Sequence, residues 1–258
     1  VTADPADTLL ASWSANAGAW TDAVRERRIA SRRAVTDAAI VEAVLRHRPR
    51  HVLDVGCGEG WLCRALAGRV ETVTGVDGAP ELIARAQAAG GGDFRCVDYA
   101  RLADAPEAAG SGFDLIACNF ALLDDRVEAL LAALARIVAP GGRLVIQTVH
   151  PLAVDPPYLD GWRTERFAGF GDAPWAEMPW MFRTLATWVA TLAPAWRIAA
   201  LEEPRAPGAA LPASLLMVAA KDQGSPKRPN LPAREEARTR QPRSSRAMSK
   251  DMRQAWRS

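Results

Sequence analysis

Apolar and polar positions along the 258 residues divide the chain into short elements with an α/β rhythm. Between 8 and 47, apolar residues recur at helical spacing: Leu9, Leu10 and Trp13, then Trp20 and Val24, then Ile40, Val41, Val44 and Leu45. This predicts helices, the last starting at Asp37 with Thr36 as its N-cap and stopping before Pro49. Residues 51–55 are too few for a helix and rich in β-branched side chains, so they read as a buried strand. The alternation then repeats: helix 61–68, strand 71–76, helix 80–89, strand 94–97, strand 113–118, helix 125–138 and strand 143–149. Pro80 suits the first helical position, and Gly90-Gly91-Gly92 closes that helix. Strands alternating with helices at this pitch make βαβ units and a parallel sheet.

After the fifth strand the rhythm breaks. Residues 151–188 hold Tyr158, Trp162, Phe167, Phe170, Trp175, Trp180, Phe182 and Trp188 among several Pro and Gly. Residues 196–201 and 215–220, split by a Pro/Gly loop at 204–212, read as a closing pair of strands. Beyond Lys221 the sequence turns rich in Pro, Arg, Ser and Lys, and is expected to be disordered. No internal repeat is visible.

Composition changes this picture little: 49% apolar and 24% charged residues describe a globular chain that buries one core. No apolar run approaches the ~18 residues of a membrane span. The start, Val1-Thr2-Ala3-Asp4, is acidic at Asp4 and without an apolar segment, so no secretory leader is expected and the cytoplasm is the default. Cys57, Cys63, Cys96 and Cys118 form no C-x-x-C pair and are expected as reduced, mostly packing thiols, with no metal site. The net charge of +2 hides an asymmetry. Eleven Lys and Arg against four Asp and Glu fall in 221–258, so 1–220 are acidic and the tail is basic.

The candidate chemistry lies at the strand ends. A strand running into Gly56, Gly58 and Gly60 and then a helix is where backbone amides meet a ligand in an open α/β sheet. Asp54, Asp77, Asp98 and Asn119 all stand at or near predicted strand ends, facing the same crevice. Seventeen residues separate Gly60 from Asp77, close to the ~20 expected of a carboxylate that bonds ribose hydroxyls. The glycines read G-x-G-x-G, not the G-x-G-x-x-G of a dinucleotide site. Asp54 and Glu59 in and beside the turn would repel a pyrophosphate and suit an ammonium group. Asp54 has a second reading, holding the turn through its amides, and Asp98 has one as a helix cap.

The run Leu53-Asp54-Val55-Gly56-Cys57-Gly58-Glu59-Gly60 resembles the nucleotide-binding signature of class I S-adenosylmethionine (SAM) dependent methyltransferases. Asp77 matches that family's ribose-binding acid, and Asp98 the acid that binds the adenine amino group, with Tyr99 beside the ring. Phe113-Asp114-Leu115-Ile116 and Pro140-Gly141-Gly142-Arg143-Leu144 resemble its later signatures, and Ala79 departs from a small polar residue often found there. The resemblance covers 51–149. It implies a three-layer, Rossmann-like methyltransferase fold with a mostly parallel seven-stranded sheet and an antiparallel closing strand. It also implies SAM as cofactor, held by Asp54, Gly56, Cys57, Gly58, Gly60, Asp77, Gly78, Asp98, Tyr99 and Asn119.

The expected organisation is a helical cover at 1–48, a SAM-binding domain at 49–220 with an aromatic insert on the acceptor side at 151–188, and the tail at 221–258. His150, after the fifth strand, is the candidate proton acceptor, with a hydrogen-bonded turn histidine as the alternative. Trp20, Trp162, Trp180 and Phe182 are expected to line a pocket for a flat or apolar small molecule. Trp13 and Trp20 with Arg28 and Arg32 are candidates for a lid, an arginine there being able to pair with the methionine carboxylate. The expected function is methyl transfer to an O, N or C atom of a small molecule. An RNA methyltransferase acting on a tRNA base and a non-catalytic SAM-binding module are the alternatives. The acidic balance of 1–220 argues against nucleic acid as partner, no membrane partner is expected, and the oligomeric state is open.

Overall fold

The structure, a computed structural model, describes residues 4–222. Its frame is a seven-stranded sheet in the order β3-β2-β1-β4-β5-β9-β8. The strands are β1 (His51–Val55), β2 (Thr72–Asp77), β3 (Asp93–Cys96), β4 (Phe113–Asn119), β5 (Val138–Thr148), β8 (Trp196–Glu202) and β9 (Leu215–Lys221). The first five pair in parallel, and β9 runs antiparallel to both neighbours. This is the expected sheet, closing strand included. The expected tail begins at 221, yet Lys221 ends β9; the expectations for 223–258 lie outside the described residues.

Two-residue periodicity sorts the strand side chains onto two buried faces. Val52, Leu115, Ala117 and Val145 point to one face, which α2 (Asp37–Leu45), α3 (Trp61–Leu66) and α4 (Pro80–Ala89) cover with Ile40, Val44, Leu62, Leu66 and Ile83. Leu53, Ile116, Cys118, Leu144 and Ile146 point to the other, under α5 (Tyr99–Asp104), α6 (Val127–Ile137) and α7 (Leu185–Leu192). The strand order turns back between β1 and β4, so a crevice opens at their carboxyl ends.

Above this crevice lies α1 (Pro5–Arg25), capped by Asp4, whose carboxylate accepts from the Ala6 N–H at 2.9 Å. Polar contacts fasten α1 at both ends and in the middle. Arg126 reaches Asp4 at 3.8 Å. Asn16 exchanges two hydrogen bonds with the Ala176 backbone at 2.9 and 2.8 Å. Near the end, Arg25 Nε donates to Glu59 at 2.8 Å.

Three local features depart from the sequence reading. Thr36 does not cap α2: it ends a π-helical turn, Arg32–Thr36, that runs straight into α2, and its hydroxyl is buried without a partner. The aromatic segment is not irregular throughout, since Gly161–Glu165 (β6) and Met178–Phe182 (β7) form an antiparallel hairpin. The helix α7 follows it, with Thr184 at its N-cap accepting from the Thr187 N–H at 3.3 Å. The signal for α7 is in the sequence, because Leu185, Trp188, Val189 and Leu192 keep helical spacing.

Candidate active site

The crevice is a cavity of ≈ 220 Å³ between the sheet and α1. Its floor is the turn after β1. Gly56 and Cys57 donate their N–H groups to the Val76 carbonyl at 2.8 and 3.0 Å, which bends the chain over the end of β2. Gly56 has φ +72°, and a Cβ there would stand 2.4 Å from that of Ala121, so no other residue fits the turn. The Gly58 N–H donates to Asp77 Oδ2 at 2.9 Å, and Asp77 Oδ1 accepts from the Ala79 N–H at 2.9 Å. Asp77 thus ties the glycine turn to the start of α4, replacing the side-chain cap that Ala79 lacks. Burial pushes its carboxyl above the ordinary value, and those backbone donors pull it back.

Of the ten residues expected at the cofactor, Gly56, Cys57, Gly58, Asp77, Gly78, Asp98, Tyr99 and Asn119 line this cavity. Asp98 also caps α5, accepting from the Arg101 N–H at 2.8 Å, so both readings of it hold. The Tyr99 hydroxyl donates to the Ala121 carbonyl at 2.8 Å, closing the wall directly against Gly56. Asp54 and Gly60 do not line it. Gly60 has φ +83°, and a Cβ there would collide with the Phe94 ring at 2.8 Å; its role is packing. Asp54 is 1% exposed beneath the turn, and its Oδ2 accepts from the Cys63 thiol at 3.6 Å. Its Oδ1 has no partner, and burial raises its carboxyl to about 7.

Glu59, expected to favour an ammonium from inside the turn, points away from the cavity. It is completely buried between Arg25 and Arg64, whose Nη2 lies 2.6 and 2.7 Å from its two oxygens. The case against a pyrophosphate rests instead on Asp77. Its carboxylate already holds the Gly58 amide that a phosphate would need, and places negative charge there.

Between Trp20 and Trp61 stands Arg32, which the sequence suggested only as one of several lid residues. Its guanidinium carbon lies 4.4 Å from the Trp61 ring centroid and 5.8 Å from that of Trp20. Its Nε donates to Asp37 at 2.8 Å, while its Nη2 is buried with no partner. The π-helical turn delivers Arg32 here, a kind of insertion that recurs at functional sites. Arg28 does not take part, pairing instead with Glu26 at the surface. Leu10, Leu82, Trp61, Phe120 and Asp124 also line the cavity. No pattern marked them, because each looks like ordinary helix or loop until α1 folds over the sheet.

His150 does not reach the cavity. Its Nδ1 accepts from the Leu152 N–H at 3.1 Å, which leaves the proton on Nε2, 2.9 Å from Glu203 Oε1. Both ring nitrogens are committed, one to the turn after β5 and the other to Glu203 beyond β8, so this is the hydrogen-bonded turn histidine of the alternative reading. Of the expected acceptor-side aromatics only Trp20 lines the cavity. Trp162 and Trp180 stand in the hairpin, and Phe182 is buried edge-on against Tyr158 and Trp180. The hairpin packs on α1 from outside, where Trp180 and Met178 meet Leu9 and Trp13. It supports the cover and does not line the cleft. Among the described residues no His, Cys, Asp and Glu group could hold a metal ion, and no helix is long and apolar enough to cross a membrane.

This architecture has relatives. Residues 52–142 match the methyltransferase domain family. An uncharacterized methyltransferase of Mycobacterium tuberculosis (strain H37Rv) is 30% identical over 164 residues, which cover 58% of this chain and 75% of that protein. A ubiquinone biosynthesis O-methyltransferase of Xylella fastidiosa is 40% identical over 107 residues, 38% of this chain and 42% of that protein. The chain therefore spans about two fifths of the length of such curated O-methyltransferases. In three dimensions an S-adenosylmethionine dependent methyltransferase from Mesorhizobium loti superposes with a TM-score of 0.52 at 24% identity, covering 72% of this chain and 99% of that one. The chain belongs to the class I SAM-dependent methyltransferases. SAM is the cofactor of that family.

The residues present fit it. Asp77 offers a carboxylate for two hydroxyls at one side of the glycine turn, and Arg32 a buried, unpartnered donor for a carboxylate at the other.

Proposed function

We propose that this chain transfers a methyl group from SAM to a small molecule bound in the cleft under α1. The unpartnered Arg32 Nη2, buried in a cavity that also holds the Asp77 carboxylate, is the observation that carries the reading. When bound, SAM supplies an electrophilic methyl group on a positively charged sulfur. The protein's work is placement. Asp77 fixes the ribose, Arg32 the methionine carboxylate, and the Asp77 carboxylate favours a cation in the cleft. The cover supplied by α1, fastened at both ends and in the middle, holds the acceptor in line and excludes solvent. No histidine is needed, consistent with a transfer that gains most from proximity.

Calorimetric titration with SAM, S-adenosylhomocysteine (SAH) and NAD tests the reading. SAM and SAH should bind and NAD should not. Arg32→Met should weaken SAH by about ten- to a hundredfold, the loss expected for a charge-assisted bond. NAD binding, or unchanged SAH affinity in a folded Arg32→Met protein, would sink it.

A further inference from the structure

We infer that Asn119 presents its NH2 group to the methyl acceptor, that Gln147 locks it in that orientation, and that the atom methylated is therefore an oxygen. The inference rests on the methyl-transfer reading above and names its acceptor class.

Asn119 ends β4 and Gln147 lies on β5 as its register partner. Each continues the two-residue alternation of Ala117 and Val145, so both side chains stand on the α2 face, where α2 begins. Gln147 is 1% exposed. Its Nε2 lies 2.9 Å from the Thr36 carbonyl, and a backbone carbonyl can only accept, so that end of the amide is the NH2. The second hydrogen of the same NH2 meets Asn119 Oδ1 at 2.8 Å. Ser214 donates its hydroxyl to Gln147 Oε1 at 3.3 Å, completing the set. A flipped Asn119 would set two NH2 groups against each other. Its oxygen therefore faces Gln147, and its NH2 is the end left for the cavity that it lines.

A donor in that position discriminates between nucleophiles. A neutral amine uses its one lone pair to attack, and its N–H groups want an acceptor, which Asn119 does not offer. Asp124, on the following loop and also lining the cavity, turns its oxygens to Arg126 at 3.3 and 3.4 Å. An ionised hydroxyl keeps further lone pairs while one attacks, and accepts from the NH2 throughout. The acceptor class is thus an acidic hydroxyl, such as a phenol or enol, that has left its proton to solvent. One oxygen pair forms the bond to the methyl carbon, while the carbon–sulfur bond breaks and its pair stays on sulfur, giving the methyl ether and neutral SAH.

The test uses the full chain saturated with SAH and a panel of nitrophenols that includes 4-nitrocatechol, whose absorbance reports ionisation. Bound nitrophenols should ionise at lower pH than free ones. Asn119→Ala should erase that shift and weaken their binding about tenfold, more than it weakens SAH. Asn119→Asp, of the same shape but an acceptor, should move the ionisation in the opposite direction. Gln147→Leu should lose part of the effect, because the amide can then turn. With SAM, 4-nitrocatechol should be methylated and 4-nitro-1,2-phenylenediamine should not. SAH failing to bind would defeat the cofactor reading itself. With SAH bound, the inference is overturned by a preferred diamine, or by no nitrophenol binding or shifting. It is equally overturned if Asn119→Ala weakens SAH as much as the phenols, since the NH2 would then serve the cofactor.

Discussion

Burial pushes the Asp54 carboxyl up to about 7 because desolvation disfavours its charge and only a weak thiol donor opposes that. A carboxyl raised in the folded state binds protons that the unfolded chain has released. Its stabilisation is complete below the unfolded value of 3.8 and is lost as pH rises through about 7. The size is on the order of 4 kcal/mol at most. In the protein without ligand, the urea midpoint should fall from about pH 4 to about pH 7 and level off above, and Asp54→Asn should flatten that slope. Asp77 acts differently. Asp77→Ala should cost SAH about ten- to a hundredfold in affinity, measured by calorimetry, and should also loosen the turn, because Gly58 and Ala79 lose their acceptor.

Among the elements, the central parallel strands β1, β4 and β5 were legible because each carries a short apolar run, as buried strands of a parallel sheet do. Strand ends were legible too, since Asp77 and Asn119 close β2 and β4 with polar residues. Less visible was anything that depends on how separate elements meet. Asp54 and Asp77 look alike in sequence, yet one lies under the turn and the other beside it. His150 looked available because nothing local reveals Glu203, fifty-three residues away. Arg32 became distinct only through a π-helical turn, which apolar periodicity does not encode. The cover depends on such meetings. Arg25→Ala should speed SAH release, read by stopped flow, by about two- to fivefold, the range for one partly exposed ion pair. Equilibrium folding should change little.

For the molecule as a whole, the ligand is part of the stability. If SAH binds only the folded chain, a hundredfold excess over its dissociation constant adds ~2.7 kcal/mol. For a domain of this size the melting temperature should then rise by roughly 5–10 °C. A melting scan over a range of SAH concentrations checks this, and no shift with tight binding would mean that the unfolded chain binds too. The polar fastenings of α1 also differ in kind. Those at its ends, Asp4 with Arg126 and Arg25 with Glu59, are ionic and partly open to water, whereas Asn16 and Ala176 in the middle share neutral amide bonds. Ionic strength screens the first kind and leaves the second nearly untouched. Added salt should therefore loosen the helix first at Asp4 and Arg126, where both side chains are exposed, so that the rate of cofactor exchange follows the salinity of the medium while the sheet below does not register it.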